Sequence, residues 1–120
     1  MWIYSQATGR LWDDNGNLKA VGYSGNGSGK NNPARQGLKN VGPIPRGLYS
    51  IGDWYHSKRI GPYAIPVNPV DHNCLGRTYF RIHGDSRSDP GNASKGCMIF
   101  PPDIRQDIID SDDNLLKVIE

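Results

Sequence analysis

Turn-forming residues constrain this chain more than any other feature. It carries 15 glycines and 9 prolines in 120 residues, so one position in five interrupts regular structure. Aromatic and aliphatic residues are nonetheless spread along the whole length, which argues against global disorder. The spacing predicts many short strands joined by turns, in one domain covering residues 1–120. Trp2-Ile3-Tyr4 and Arg10-Leu11-Trp12 read as strands. Asp13-Asp14-Asn15-Gly16-Asn17 holds the Asn-Gly pair of a hairpin turn, and Leu18 to Tyr23 reads as the returning strand. Ser24 to Pro33 has almost no apolar residue and reads as an exposed loop. Leu48, Tyr49 and Ile51 mark a strand after the Pro43/Pro45 turn, whereas the prolines between Trp54 and Pro69 predict an irregular or edge segment.

Arg77 to His83 is the clearest strand pattern. Phe80 and Ile82 fall on one face, and Tyr79, Arg81 and His83 on the other. Gly84 to Ser94 is polar, Cys97 to Phe100 is a short buried run, and Pro101-Pro102-Asp103-Ile104 opens a helix. Ile104, Ile108 and Ile109 share a face of that helix, which should end near Ser111. Leu115 to Ile119 is a last strand. The fold class expected is mainly β, a sandwich or barrel of short strands with one short helix after Cys97.

The charge pattern narrows function by exclusion. Fourteen basic residues stand against twelve acidic ones, a net charge of +2, with no basic run, so a nucleic-acid partner is not indicated. No apolar stretch approaches the roughly 20 residues that span a bilayer, and the start shows no signal-peptide pattern. The expectation is a chain made in the cytoplasm without membrane insertion.

The stretch that carries chemistry runs from Ile82-His83-Gly84-Asp85-Ser86 to Ala93-Ser94-Lys95-Gly96-Cys97. A cysteine attacks carbonyls as its thiolate and needs a base, most often histidine. Here the histidine ends a strand, and the cysteine opens the next apolar run after a polar loop that can fold back. On this reading Cys97 is the nucleophile and His83 its base. Asp85 (by its side chain) or Gly84 (by its carbonyl) orients the imidazole, the amide of Gly96 with that of Cys97 forms an oxyanion hole, and Ser94 donates to substrate. Arg81 shares the His83 face, and Tyr23 and Ser24, at a loop flanking the cleft, are further candidate substrate contacts. Taken singly, a cysteine in an apolar run is usually a small buried hydrophobe, and a histidine at a strand end is usually a surface residue. The combination is far more specific than its parts. Asp71-His72-Asn73-Cys74, with His56 and His83, matches no standard zinc spacing, so no metal or cofactor is expected.

The order His83-Gly84 … Ser94-x-Gly96-Cys97 resembles the catalytic motif of the YkuD-type L,D-transpeptidases. The chain is more closely similar to the small L,D-transpeptidase-like effectors of bacterial type VI secretion. That similarity extends over Trp2-x-Tyr4-x-Gln6-x-Thr8-Gly9-Arg10-Leu11, Gly22-Tyr23-Ser24-Gly25, Lys30-Asn31-Asn32-Pro33 and Gly42-Pro43-Ile44-Pro45-x-Gly47-x-Tyr49. The larger pattern has histidine where this chain has Lys95, and arginine where it has Ile99; Lys95 and Arg81 are the cations left to meet substrate. The resemblance implies a YkuD-like fold and acyl transfer through Cys97. The reaction would remove or exchange the terminal D-alanine of peptidoglycan tetrapeptide stems. It also implies an antibacterial effector delivered by type VI secretion to a target cell's periplasm, with a cognate immunity protein. The alternatives are a non-catalytic wall-binding or interaction module with a vestigial site, a papain-like enzyme, which would place cysteine before histidine, and a domain held by a Cys74–Cys97 disulfide.

Overall fold

The computed structural model describes residues 1–57 and 61–120. Among the described residues the turn formers leave ten strands and one α-helix: β1 (Trp2–Ser5), β2 (Arg10–Trp12), β3 (Leu18–Val21), β4 (Tyr23–Ser24), β5 (Gly47–Ile51), β6 (Tyr55–Ser57), β7 (Gly61–Val70), β8 (Arg81–His83), β9 (Met98–Ile99), α1 (Pro102–Asp110) and β10 (Leu115–Ile119). The strands form one sheet in the order β3-β2-β1-β10-β5-β7-β8-β9-β4, with β6 added to β7. The β1–β10 and β8–β9 pairs are parallel and the others antiparallel. The result is a mainly β, nearly closed, barrel-like sheet with one short helix, as the spacing of turns predicts.

Near-closure has a local cause. The expected strand Leu18 to Tyr23 is broken at Gly22, where the chain leaves one end of the sheet order (β3) and enters the other (β4). A Cβ at Gly22 would lie 2.1 Å from the Ile99 carbonyl oxygen, so only glycine lets the chain pass this close to β9. The Asn-Gly hairpin forms as expected, with Gly16 at φ +80° and Asp13 Oδ1 accepting the amides of Asn15 and Asn17.

Two further expectations are corrected. Trp54 to Pro69, expected to be irregular or an edge, is so only in part: β6 pairs with β7 alone among the described strands, with a register shift, but most of the ten-residue β7 lies between β5 and β8, and residues 58–60 lie outside the described residues. The prolines are tolerated because β7 changes partner along its length. Pro66 needs only its carbonyl, which accepts the Gly52 amide at 2.9 Å, while the next residue, Val67, donates to Phe80 O at 3.1 Å. The strand expected over Arg77 to His83 begins only at Arg81, because Tyr79 sits at φ +64°, outside any strand conformation.

The core is filled by alternate residues of the strands: Tyr4 of β1, Tyr49 of β5, Ile65 and Val67 of β7, Ile82 of β8, Met98 of β9, and Leu116 and Val118 of β10. Tyr4 meets Phe100 edge to face, ring centroids 5.9 Å apart. The helix α1 has proline in its first turn and Asp103 near its positive end. It turns Ile104 and Ile108 inward, each burial stabilising by about 1.5–3 kcal/mol. No helix among the described residues is long and apolar enough to cross a membrane.

Candidate active site

The parallel pair β8–β9 builds the site. Its register aligns Ile82 with Met98 and His83 with Ile99. Ile82 and Met98 point into the core, at 1% and 0% exposure. Side chains alternate along a strand, so Arg81 and His83 on β8 and Cys97 just before β9 share the opposite face. In this register Arg81 stands across from Cys97, with His83 on the diagonal. The Phe100 amide donates to the His83 carbonyl at 3.1 Å and extends the ladder past the site, fixing its register.

His83 is buried, and its Nδ1 lies 2.9 Å from the Gly84 carbonyl oxygen. A carbonyl only accepts, so Nδ1 carries the proton and the lone pair is left on Nε2. Burial lowers the His83 pKa below its usual value, helped by Arg81 and Arg105, against the opposing effects of the Gly84 carbonyl and Asp85. The imidazole is therefore neutral at pH 7, the form a base requires. Cys97 is a free thiol whose Sγ–H faces the Tyr79 carbonyl at 3.8 Å. The left-handed backbone at Tyr79 aims that carbonyl, and the same kink turns its ring to solvent at 83% exposure.

Cys97 and His83 line one cleft of about 720 Å³. Lys39, Arg77, Arg81 and Lys95 also line it, and no Asp or Glu among the described residues does. Four cations and no carboxylate make it far more positive than the chain as a whole, whose net charge is +2.

Ser94, Gly96 and Ser24 lie against this cleft's wall rather than in it. Ser94 is 1% exposed; its hydroxyl donates to Cys97 O at 2.6 Å and accepts the amides of Gly25 at 2.8 Å and Gly96 at 3.0 Å. The hydroxyl expected to meet substrate is thus consumed in tying the cysteine loop to the start of the 25–32 loop. The Gly96 amide expected in an oxyanion hole is spent on Ser94. What Gly96 contributes is its backbone: φ is +131°, and an added Cβ would meet Arg77 Nη2 at 2.6 Å. Ser24 is fully buried and holds Gly96 O at 2.8 Å and the Ile44 amide at 2.9 Å. The motif Ser94-x-Gly96-Cys97 is, in this geometry, the recipe for a loop that presents Cys97 rigidly.

Asp85 does not contact the imidazole. Its carboxylate accepts the Tyr23 hydroxyl at 2.6 Å and the amides of Ser86 at 2.8 Å and Gly91 at 3.0 Å. Burial pushes the Asp85 carboxyl up, but those donors and Lys30 outweigh it and hold the group below the usual carboxylate range. The Tyr23 hydroxyl is pushed up to about 12 by burial and by Asp85. Tyr23 and Asp85 line a separate cleft of about 710 Å³. Of the two orienting groups considered for His83, the Gly84 carbonyl is the one in contact.

Arg77, unremarked in the sequence, anchors the cleft wall. It is 6% exposed, and its guanidinium donates to four carbonyls: Gln36 at 2.6 Å, Pro43 at 2.7 Å, Gly42 at 3.0 Å and Lys95 at 3.1 Å. Burial lowers its pKa, while Tyr49, Cys74 and Cys97 act the other way. Its acceptors lie 18 to 41 residues away, so no local pattern announces the role. Cys74 is the second free thiol, 1% exposed, 3.2 Å from the Tyr49 hydroxyl. Burial raises its pKa against the Tyr49 hydrogen bond and Arg77, which keeps it a protonated packing group. His72 is spent on the same turn, its Nε2 at 2.9 Å from Leu48 O and its Nδ1 accepting the Cys74 amide at 3.2 Å.

A small β domain that holds a thiol and a neutral imidazole on adjacent strands of one cationic cleft is the class of protein this geometry defines. The family model of the Tlde1 domain matches residues 18–117, from the start of β3 into β10, and the chain belongs to that family, one of antibacterial type VI secretion effectors. Neither a curated protein nor a solved structure matches the chain.

Proposed function

We propose that this protein is a cysteine acyl-transfer enzyme that acts on the L,D-amide of peptidoglycan stem peptides, as an L,D-carboxypeptidase, an L,D-transpeptidase or both. The observation that carries the reading is the neutral imidazole of His83, its Nδ1–H donating to the Gly84 carbonyl, in the same cleft as Cys97, where every charged lining residue among the described residues is a cation. A cleft of that charge suits stems rich in carboxylates. Family membership supports an antibacterial role.

In this reading His83 Nε2 takes the Cys97 proton as Sγ attacks the carbonyl before the terminal D-alanine. The S–C bond forms, the C–N bond breaks, and His83 returns the proton to the departing amine. The thioester on Cys97 is then attacked by water, or by the amine of a D-amino acid or second stem. His83 removes the attacking group's proton and gives one to the leaving sulfur, which restores the thiol. The cations of the cleft face the negative charge that develops on the attacked oxygen. The protein acts in the periplasm of a target cell, and a cognate immunity protein covers the cleft in the producer.

The test is mass spectrometry of purified tetrapeptide muropeptides incubated with wild type and with Cys97→Ala, with and without an added D-amino acid. Loss of terminal D-alanine with wild type alone supports hydrolysis, and its replacement supports exchange. A folded wild type with a free Cys97 that leaves every stem intact overturns the reading in favour of a binding module.

A further inference from the structure

The two arginines of the cleft are not equivalent. Arg77 has its guanidinium committed to four carbonyls, so it is part of the wall. Arg81 is not so engaged. It stands opposite Cys97 in the β8–β9 register. Its Nη1 makes one long contact, 3.4 Å, to the Tyr55 hydroxyl, and its Nε is buried with no hydrogen-bond partner among the described residues. No carboxylate among the described residues pairs with it. Burial acts to lower its pKa, but its interactions with Tyr55 and Cys97 outweigh this and hold it above the usual value, so it stays a cation beside the sulfur. A buried donor of a cation left without an acceptor is a costly arrangement, and an incoming anion relieves it.

We propose that Arg81 is the carboxylate receptor of this site: its guanidinium takes the free carboxylate of the amino acid that departs from, or joins, the acyl group on Cys97. This rests on the acyl-transfer reading above and makes it more specific. A planar guanidinium matches a carboxylate in a way a lysine ammonium does not. The carboxylate of a terminal residue is adjacent to the nitrogen that leaves, so a receptor across from Cys97 selects amides at the end of a peptide over amides within one. The same receptor serves an incoming D-amino acid, which presents an equivalent carboxylate. Arg81 is thereby a specificity-determining residue for both halves of the reaction.

Two arms test this. In the first, Cys97 is alkylated with iodoacetate and with the neutral iodoacetamide, read by peptide mass mapping, in wild type, Arg81→Gln, Arg81→Lys and the distant Arg10→Gln. The ratio of anionic to neutral rates should fall about tenfold in Arg81→Gln and partly in Arg81→Lys, and stay at the wild-type value in Arg10→Gln. Losing the cation beside the sulfur slows both reagents, so the iodoacetamide rate should fall less than the iodoacetate rate in Arg81→Gln, and an unchanged circular dichroism spectrum shows that the fold is intact. An unchanged ratio in Arg81→Gln, or an equal fall of both rates, overturns the proposal. In the second arm, stems ending in a carboxylate are compared with the same stems ending in a carboxamide. Wild type should discriminate between them through KM, and Arg81→Gln should lose that discrimination. Discrimination retained in Arg81→Gln overturns the proposal. If no stem is turned over while the iodoacetate preference depends on Arg81, the substrate assignment falls and the receptor stands.

Discussion

Replacing Ser94 by alanine separates two roles for the same hydroxyl. In the structure it serves three buried backbone groups, two amides and a carbonyl. Alanine has the same Cβ and opens little space, so the cost is almost wholly the three groups left without partners. Each unsatisfied buried polar group costs about 1–3 kcal/mol, and backbone relaxation recovers part of it, so the expected loss is about 3–5 kcal/mol. Against the 5–15 kcal/mol typical of a whole domain, that is a large fraction. Urea denaturation followed by tryptophan fluorescence measures it, with an unchanged slope confirming that the same surface unfolds. The thermal midpoint should drop by roughly 3–6 °C per kcal/mol. Cys97 should also become more accessible to a neutral alkylating reagent, because its carbonyl is no longer held. A variant within about 1 kcal/mol of wild type whose only defect is a raised KM would refute the argument and restore Ser94 as a substrate contact.

Other residues give equally direct expectations. Gly96→Ala forces a Cβ to 2.6 Å from Arg77 at φ +131°, and should cost about 3 kcal/mol or more, or prevent folding, as read by circular dichroism and urea titration. Phe100 is 1% exposed, and Phe100→Ala should cost about 3–5 kcal/mol in the same titration. The His83 pKa is depressed in the folded chain, so the unfolded chain binds the extra proton more readily. Stability should therefore fall as pH drops below about 6.5, the unfolded value, and this slope should vanish in His83→Gln. If His83 is the base, activity should persist to a pH below the ordinary histidine value before its acid limb appears, and a limb at or above pH 6.5 would argue against the buried neutral imidazole. Cys74→Ser should retain the activity that Cys97→Ala removes, since Cys74 is buried against Tyr49 away from the cleft; equal loss in both, with both folded, would refute that division.

How much could be read without coordinates depends on how local each cause is. The hairpin at Asn15-Gly16, the helix after Pro101 and the alternation Arg81-Ile82-His83 are decided within a few residues, and each forms as its pattern predicts. The prolines at 66 and 69 do not break β7, because a proline is judged by the ladder it interrupts, and β7 has three different partners. The strand before His83 is shorter than its alternation predicts, because nothing in Thr78-Tyr79-Phe80 signals a left-handed tyrosine.

For the site itself, sequence alone pointed to the proposed nucleophile and base: one cysteine and one histidine, each at the border of an apolar run, with glycines that let the loop between them turn. Tertiary structure decided what every neighbour does. It gave the imidazole to the Gly84 carbonyl, sent Asp85 to Tyr23, buried Ser24 and Ser94 as ties, and placed Arg81 across from Cys97. The physical reason is that a hydroxyl, carboxylate or guanidinium has the same donors and acceptors wherever it occurs. Its partner is set by which strands pair and in which register, and pairings across 62 to 72 residues leave no local trace in the chain.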